Sequence, residues 1–140
     1  MMGFPYITAA TAAVLGTLQM LLMLYTALGR RKFKAGLGDG GNAALLTRMR
    51  MHGNLAENVP IFLILLGLVE MTGQWTAQVP WMALAFVAAR LLHIAGLAIS
   101  SGASLFRLVG AVATFAIVLS LAAKLAITLA GDTRWIPHLF

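Results

Sequence analysis

The sequence predicts an all-α integral membrane protein built as a bundle of four transmembrane helices, and three observations predict it. The chain is 61% hydrophobic and only 10% charged, far from the balance of a soluble domain of this size. Its apolar residues gather into four runs, each long enough to supply the ~20 residues that cross a roughly 30 Å hydrocarbon layer. Short breaks rich in Gly, Pro and Ser separate the runs, so residues 1–140 read as a single four-helix membrane domain with no length left for a soluble one.

The first span is expected from Pro5 to Leu28, where Gly29 stops it and Arg30-Arg31-Lys32-Phe33-Lys34 follows as a block of positive charge. No Lys or Arg precedes this run between Met1 and Thr8, so the basic region of a cleavable signal peptide is missing and the span is expected to be retained. A Gly-rich loop through Gly36, Gly38, Gly40 and Gly41 leads to Asn42, the expected N-cap of a second helix over Ala43 to Met71. That helix is longer than a crossing requires, so its polar first turns protrude or line a cavity. Pro80 opens a third helix to Ile99, because a missing N–H costs nothing in a first turn. Ser100-Ser101-Gly102 turns the chain into a fourth helix, Ser104 to Ala130, and a short tail broken by Pro137 follows.

Charge sets the topology and excludes functions. Arg30, Arg31, Lys32, Lys34, Arg48 and Arg50 lie in or beside the first connection, whereas Thr72 to Val79 carries no charge. The positive-inside rule then puts the first and third connections in the cytoplasm and both termini outside. Phe4, Tyr6, Trp75, Trp81 and Trp135 fall at the opposite end, where interfacial aromatic anchors belong. The net charge of +6 therefore reads as topology, and nucleic-acid binding is not expected without a soluble basic face. With no cysteine, disulfides, thiolate metal sites and cysteine nucleophiles are excluded, and any thiol chemistry must use a thiol from the substrate. No metal site is expected.

The residues that carry chemistry lie toward the basic end. Arg50, Asn54 and Glu57 are spaced i, i+4, i+7, which places them within a stripe of ~60° on one helix face. Arg90, His93 and Leu97 share a face of the third helix, and Arg107 opens the fourth. Glu57 and Arg90 come to matching depths of about 15 Å from the basic end. Because an unpaired charge there costs ~2.5 kcal/mol or more, they are expected to form an ion pair within the bundle. Asn54 and His93 also match in depth, above Arg50 and Arg107. Together these groups are expected to make a cationic, hydrogen-bonding pocket. Helix association is the alternative to a functional role for Glu57, Arg90 and Asn54, but it leaves Arg50 and Arg107 unexplained, and their natural partner is a small anion. His52 points away from the stripe by ~160° and is expected to make a structural contact; Lys124 snorkels. Pro60 is expected to bend the second helix above the polar patch.

The pattern Arg48-x-Arg50-x-His52-x-Asn54-x-x-Glu57-x-x-Pro60 resembles the second-helix signature of the MAPEG family, the membrane-associated proteins in eicosanoid and glutathione metabolism. The resemblance extends over the whole chain, through Arg30-Arg31, Arg90, His93 and Arg107, and points to a divergent member of bacterial type in an inner membrane. It implies a homotrimer with active sites between neighbouring subunits and glutathione as the cofactor. By the same resemblance Arg50, Asn54, Glu57 and His93, together with Arg30, Arg31 and Arg90, would be cofactor-binding, and Arg107 would be catalytic, stabilising the thiolate. A lipophilic electrophile would arrive from the bilayer, with membrane lipids as the other partners. The chain departs from the eicosanoid-forming and microsomal glutathione transferase members at Leu97, where they carry tyrosine.

Two functions remain: a glutathione-dependent transferase or peroxidase, or a non-catalytic protein of the same fold that holds another anion or a lipid headgroup. A small multidrug exporter has the same four-helix format but needs a membrane-embedded acid in its first helix, and this first helix has none.

Overall fold

The computed structural model describes residues 3–100, 102 and 104–132; Ser101, Trp135 and Pro137 lie outside them. Four helices follow in order: α1 (Tyr6–Lys32), α2 (Ala43–Met71), α3 (Val79–Ile99) and α4 (Leu105–Gly131). All four are long and apolar enough to cross a membrane.

The helix ends show how the sequence stops and starts each span. α1 does not stop at Gly29 but continues to Lys32. Gly29 has a different task, since a Cβ there would lie 2.9 Å from Cδ of Arg48 and 3.1 Å from a methyl of Leu45. The missing side chain lets α2 approach α1. Termination comes five residues later, where Lys34 takes a left-handed φ of 53° and the Ala35 N–H donates back to the Arg30 carbonyl at 3.0 Å, closing the helix with a Schellman-type turn. Arg30, Arg31 and Lys32 occupy the last turn, where positive charge offsets the partial negative charge of the exposed carbonyls. The start of α2 follows expectation, with Asn42 accepting from the Leu45 N–H at 3.0 Å. α2 then runs unbroken through Pro60.

The start of α1 is capped from elsewhere in the fold. Pro5 offers no side-chain cap; instead Glu70, near the end of α2, accepts from the N–H groups of Ile7 and Thr8, both at 2.8 Å, and from the Thr8 hydroxyl at 2.7 Å. A carboxylate at a helix N-terminus satisfies orphan donors and meets the positive end of the helix dipole. One side chain thereby solves two problems, an uncapped helix and an otherwise unpaired acid.

α2 and α3 form the central seam, with α1 and α4 flanking it; α1 packs on both, as does α4. The rings of Phe62 and Phe86 stack at 3.6 Å across the seam, surrounded by buried Leu15, Leu55, Leu66 and Leu121. The outer surface is apolar as well, with Leu21, Leu24, Ile64, Leu84, Val112, Phe115 and Leu119 all exposed. Such a surface is unstable in water and suited to lipid or to other copies of the chain. α3 and α4 make the tightest junction. A Cβ on Gly96 would lie 2.7 Å from both Cγ and the backbone nitrogen of Arg107, and one on Gly110 would lie 2.7 Å from the Ala89 carbonyl oxygen.

Glu70→Ala is expected to destabilise the detergent-solubilised protein by roughly 1–2 kcal/mol, the usual cost of losing an N-cap. Denaturant titration against the wild type measures it, and Glu70→Gln, which keeps one acceptor oxygen, is expected to lose less.

Candidate functional site

At the basic end, residues from three helices and the α3–α4 connection line a hollow of about 490 Å³. α2 contributes Thr47, Arg50 and Asn54, α3 Leu97, the connection Ser100, and α4 Arg107. The i, i+4 spacing brings Arg50 and Asn54 onto one wall, where the Asn54 amide donates to the Arg50 carbonyl at 2.9 Å. Arg107 comes from the facing side. Its guanidinium donates to the Gly102 carbonyl at 2.6 Å, which fixes its direction and leaves further N–H donors available. Neither arginine forms an ion pair with a carboxylate among the described residues, so the hollow carries uncompensated positive charge. Its volume lies in the range of small-molecule sites.

Arg107 is held in place by its neighbours. The His93 ring lies with Nδ1 3.2 Å from the Arg107 carbonyl, and because a carbonyl only accepts, this contact places a proton on Nδ1. Gly96 makes room for the Arg107 backbone and stem. His93 thus backs Arg107 and is not among the residues lining the hollow.

Arg90 does not join this cluster. It is only 3% exposed and lies between α3 and α4, where one guanidinium nitrogen donates to the Gly110 carbonyl at 3.1 Å and to the Thr114 hydroxyl. The Phe86 ring lies 5.8 Å away, and Arg90 Nε has no partner. Glu57, in contrast, is exposed on α2. The chain therefore does not form the expected Glu57–Arg90 ion pair. The two residues match in depth but not in direction: Arg90 faces α4, where Gly110 lets the backbone come close, while Glu57 faces out of the bundle. A carbonyl and a hydroxyl take the place of the carboxylate.

Arg30 and Arg31 are also apart from the hollow. Arg30 donates to the carbonyls of Gly38 at 2.9 Å and Gly36 at 3.4 Å, holding the first connection, and it lines a separate hollow of about 290 Å³ with Met49 and His52. His52 thus points away from the Arg50 stripe, as its spacing predicts. Arg31 is exposed.

Sequence reasoning missed several neighbours of the site. Tyr25, Arg48 and Met51 line an adjoining hollow of about 360 Å³ that shares Ala43, Thr47 and Leu97 with the first. The Arg48 guanidinium lies 3.9 Å from the Tyr25 ring centroid and donates to the Tyr25 carbonyl at 3.1 Å. No local spacing links Tyr25 to Leu97; only the seating of α1 against the other helices does.

Fold and site together define a polytopic membrane protein with a basic hollow at one end of its helix bundle. The chain belongs to the MAPEG family, whose model matches residues 8–127. It is similar to the inner membrane protein YecN of Escherichia coli K12, with 33% identity over 89 residues, covering 63% of this chain and 68% of that one. YecN of Escherichia coli O6:H1 strain CFT073 matches to the same extent. Like those relatives, the chain is an integral inner membrane protein.

In a double-mutant cycle, Glu57→Gln and Arg90→Gln are expected to add, with a coupling below about 0.5 kcal/mol, as for residues that do not touch. Unfolding measured in detergent for the two single variants and the double variant checks this; a coupling well above 1 kcal/mol would restore the ion pair.

Proposed function

We propose that this protein is a membrane-bound, glutathione-dependent transferase or peroxidase acting on lipophilic electrophiles, assembled as a homotrimer with its sites between subunits. The observation that carries the reading is the convergence of Arg50, Asn54 and Arg107 on one hollow, with no carboxylate among the described residues paired to either arginine. Glutathione carries two carboxylates, and two guanidinium groups are the side chains suited to receive them. Arg50 and Asn54 would hold the peptide, while a fixed positive charge from Arg107 near the thiol favours its ionised form. The cofactor supplies the nucleophilic sulfur that a chain without cysteine lacks. His93 holds Arg107 in position through its carbonyl, and the apolar outer surface of the bundle gives a lipophilic substrate a route from the bilayer.

Trimer formation explains a further feature. Glu57 is exposed in the middle of α2, where a charge facing lipid is costly, so another copy of the chain covering that face would shield it. A site between subunits also accommodates Arg30, Arg31 and Glu57, which face away from the hollow of their own protomer. The first and third connections, which carry the basic residues, lie on the cytoplasmic side in this reading.

Leu97 favours a second reading, in which the hollow binds glutathione or another anion without turning it over. The wall that Leu97 forms is apolar and brings no hydroxyl to the sulfur.

Titration of the purified protein with millimolar glutathione is expected to show binding and a thiolate absorbance band. Arg107→Ala is expected to abolish the band, and Arg50→Ala to weaken binding by roughly tenfold or more, the effect of losing a hydrogen bond to a charged group. Absence of both binding and band in the wild type rejects the proposal; binding without turnover of any electrophile selects the second reading. Native mass spectrometry of the detergent complex tests the trimer.

A further inference from the structure

A second polar cluster lies at the opposite end of the bundle, remote from the basic hollow. The groove between the start of α3 and the middle turns of α4 has a volume of about 420 Å³ and is lined by Trp81 and Ala85 on one side, Ala116 and Ser120 on the other, and Gln78 and Lys124. Ala85, Ala116 and Ser120 are exposed, so small side chains leave a channel between two helices of a membrane span. Lys124 sits about 10 Å below the end of α4. Its ammonium is held 3.9 Å from the Trp75 ring centroid and hydrogen-bonded to the Gln78 side chain. The Trp75 ring is itself fixed, because its Nε1 donates to the Thr128 hydroxyl at 3.2 Å, and that hydroxyl donates to Gln74 at 3.0 Å. A lysine on a flexible stem is thus pre-positioned in the groove.

This cation forms no ion pair with a carboxylate among the described residues. Glu70, an acid of the same end, is committed to the first turn of α1. The groove therefore combines a fixed positive charge, the hydroxyl of Ser120, and an apolar channel that runs into the hydrocarbon region. We propose that it is a binding site for one anionic phospholipid of the adjacent leaflet, its phosphate on Lys124 and an acyl chain between Ala85 and Ala116. A soluble anion would match the charge but leave the channel unused, and a zwitterionic lipid would match the channel but bring its own cation.

The test uses the full-length protein in vesicles of phosphatidylcholine with increasing phosphatidylglycerol, either lipid brominated on its chains, with quenching of tryptophan fluorescence as the readout. Phosphatidylglycerol is expected to compete for the groove about fivefold better than phosphatidylcholine, the preference one lysine near the surface confers. Lys124→Met should remove the preference and Lys124→Arg should keep it. Ala116→Phe, which fills the channel and leaves Lys124 in place, should reduce quenching by both lipids, and millimolar glycerol phosphate should not compete. The proposal is overturned by equal affinity for the two lipids in the wild type, by a preference that survives Lys124→Met, or by competition from glycerol phosphate, which would indicate a site for a bare anion. If Lys124→Met does not fold, unchanged quenching in Ala116→Phe overturns it.

Discussion

The close approach of α3 and α4 at Gly96 and Gly110 is the constraint on which the basic end of the molecule depends. At each glycine a single methyl group would collide with backbone atoms of the facing helix, and backbone does not move aside as the tip of a side chain does. With the helices this close, the Gly110 carbonyl comes within reach of Arg90, the Arg107 carbonyl within reach of His93, and the Arg107 side chain turns toward α2. Separate the helices by the width of a methyl and each of these contacts is lost. Small residues at helix junctions serve packing in a bilayer, where no hydrophobic force draws the helices together; here they also place the polar groups.

The other polar groups obey one rule, that a bilayer offers no water to complete a hydrogen bond. Thr11, Thr26 and Thr114 return their hydroxyl protons to carbonyls four residues back on their own helices. Glu70 satisfies the first turn of α1, Arg30 ties down the glycine-rich connection, and Arg48 lies on the Tyr25 ring. Against that background Arg50 and Glu57 stand out, because among the described residues their charged groups have neither a hydrogen bond nor an ion pair, and Arg107, whose guanidinium meets only the Gly102 carbonyl, stands beside them. Those are the positions where a group from outside the chain has the most to contribute.

Arg50 and Asn54 were legible as a pair because an i, i+4 spacing on one helix is a local property that no tertiary arrangement alters. Arg107 was legible because a residue at the start of α4 has to lie at the same end of the bundle as the start of α2. Arg90 and Glu57 were misread for a complementary reason: rise per residue gives depth along a helix, but not which neighbour a face meets. Arg30 is joined to the site by the family resemblance alone, whereas in this chain its guanidinium turns back to the connection that follows it. The Gly29 stop failed on the same ground, since a glycine that ends a helix and a glycine that admits a neighbour look identical in one dimension. Tyr25, Ser100 and the capping role of Glu70 had no local signal.

By itself the sequence determined the membrane class, the number of spans, the segregation of basic and aromatic residues to opposite ends, and the Arg50–Asn54 stripe. These follow from hydrophobic run length, turn chemistry and helical periodicity, which are properties of the chain alone. Only the tertiary structure decided that Arg90 bonds to a backbone carbonyl in place of Glu57, that Glu70 caps a helix more than sixty residues away in sequence, and that Lys124 is locked against Trp75 at the mouth of a groove. Each of these depends on the rotation of one helix about its axis relative to another, and that rotation is set by packing across the whole interface, through glycines whose contribution is the absence of a side chain.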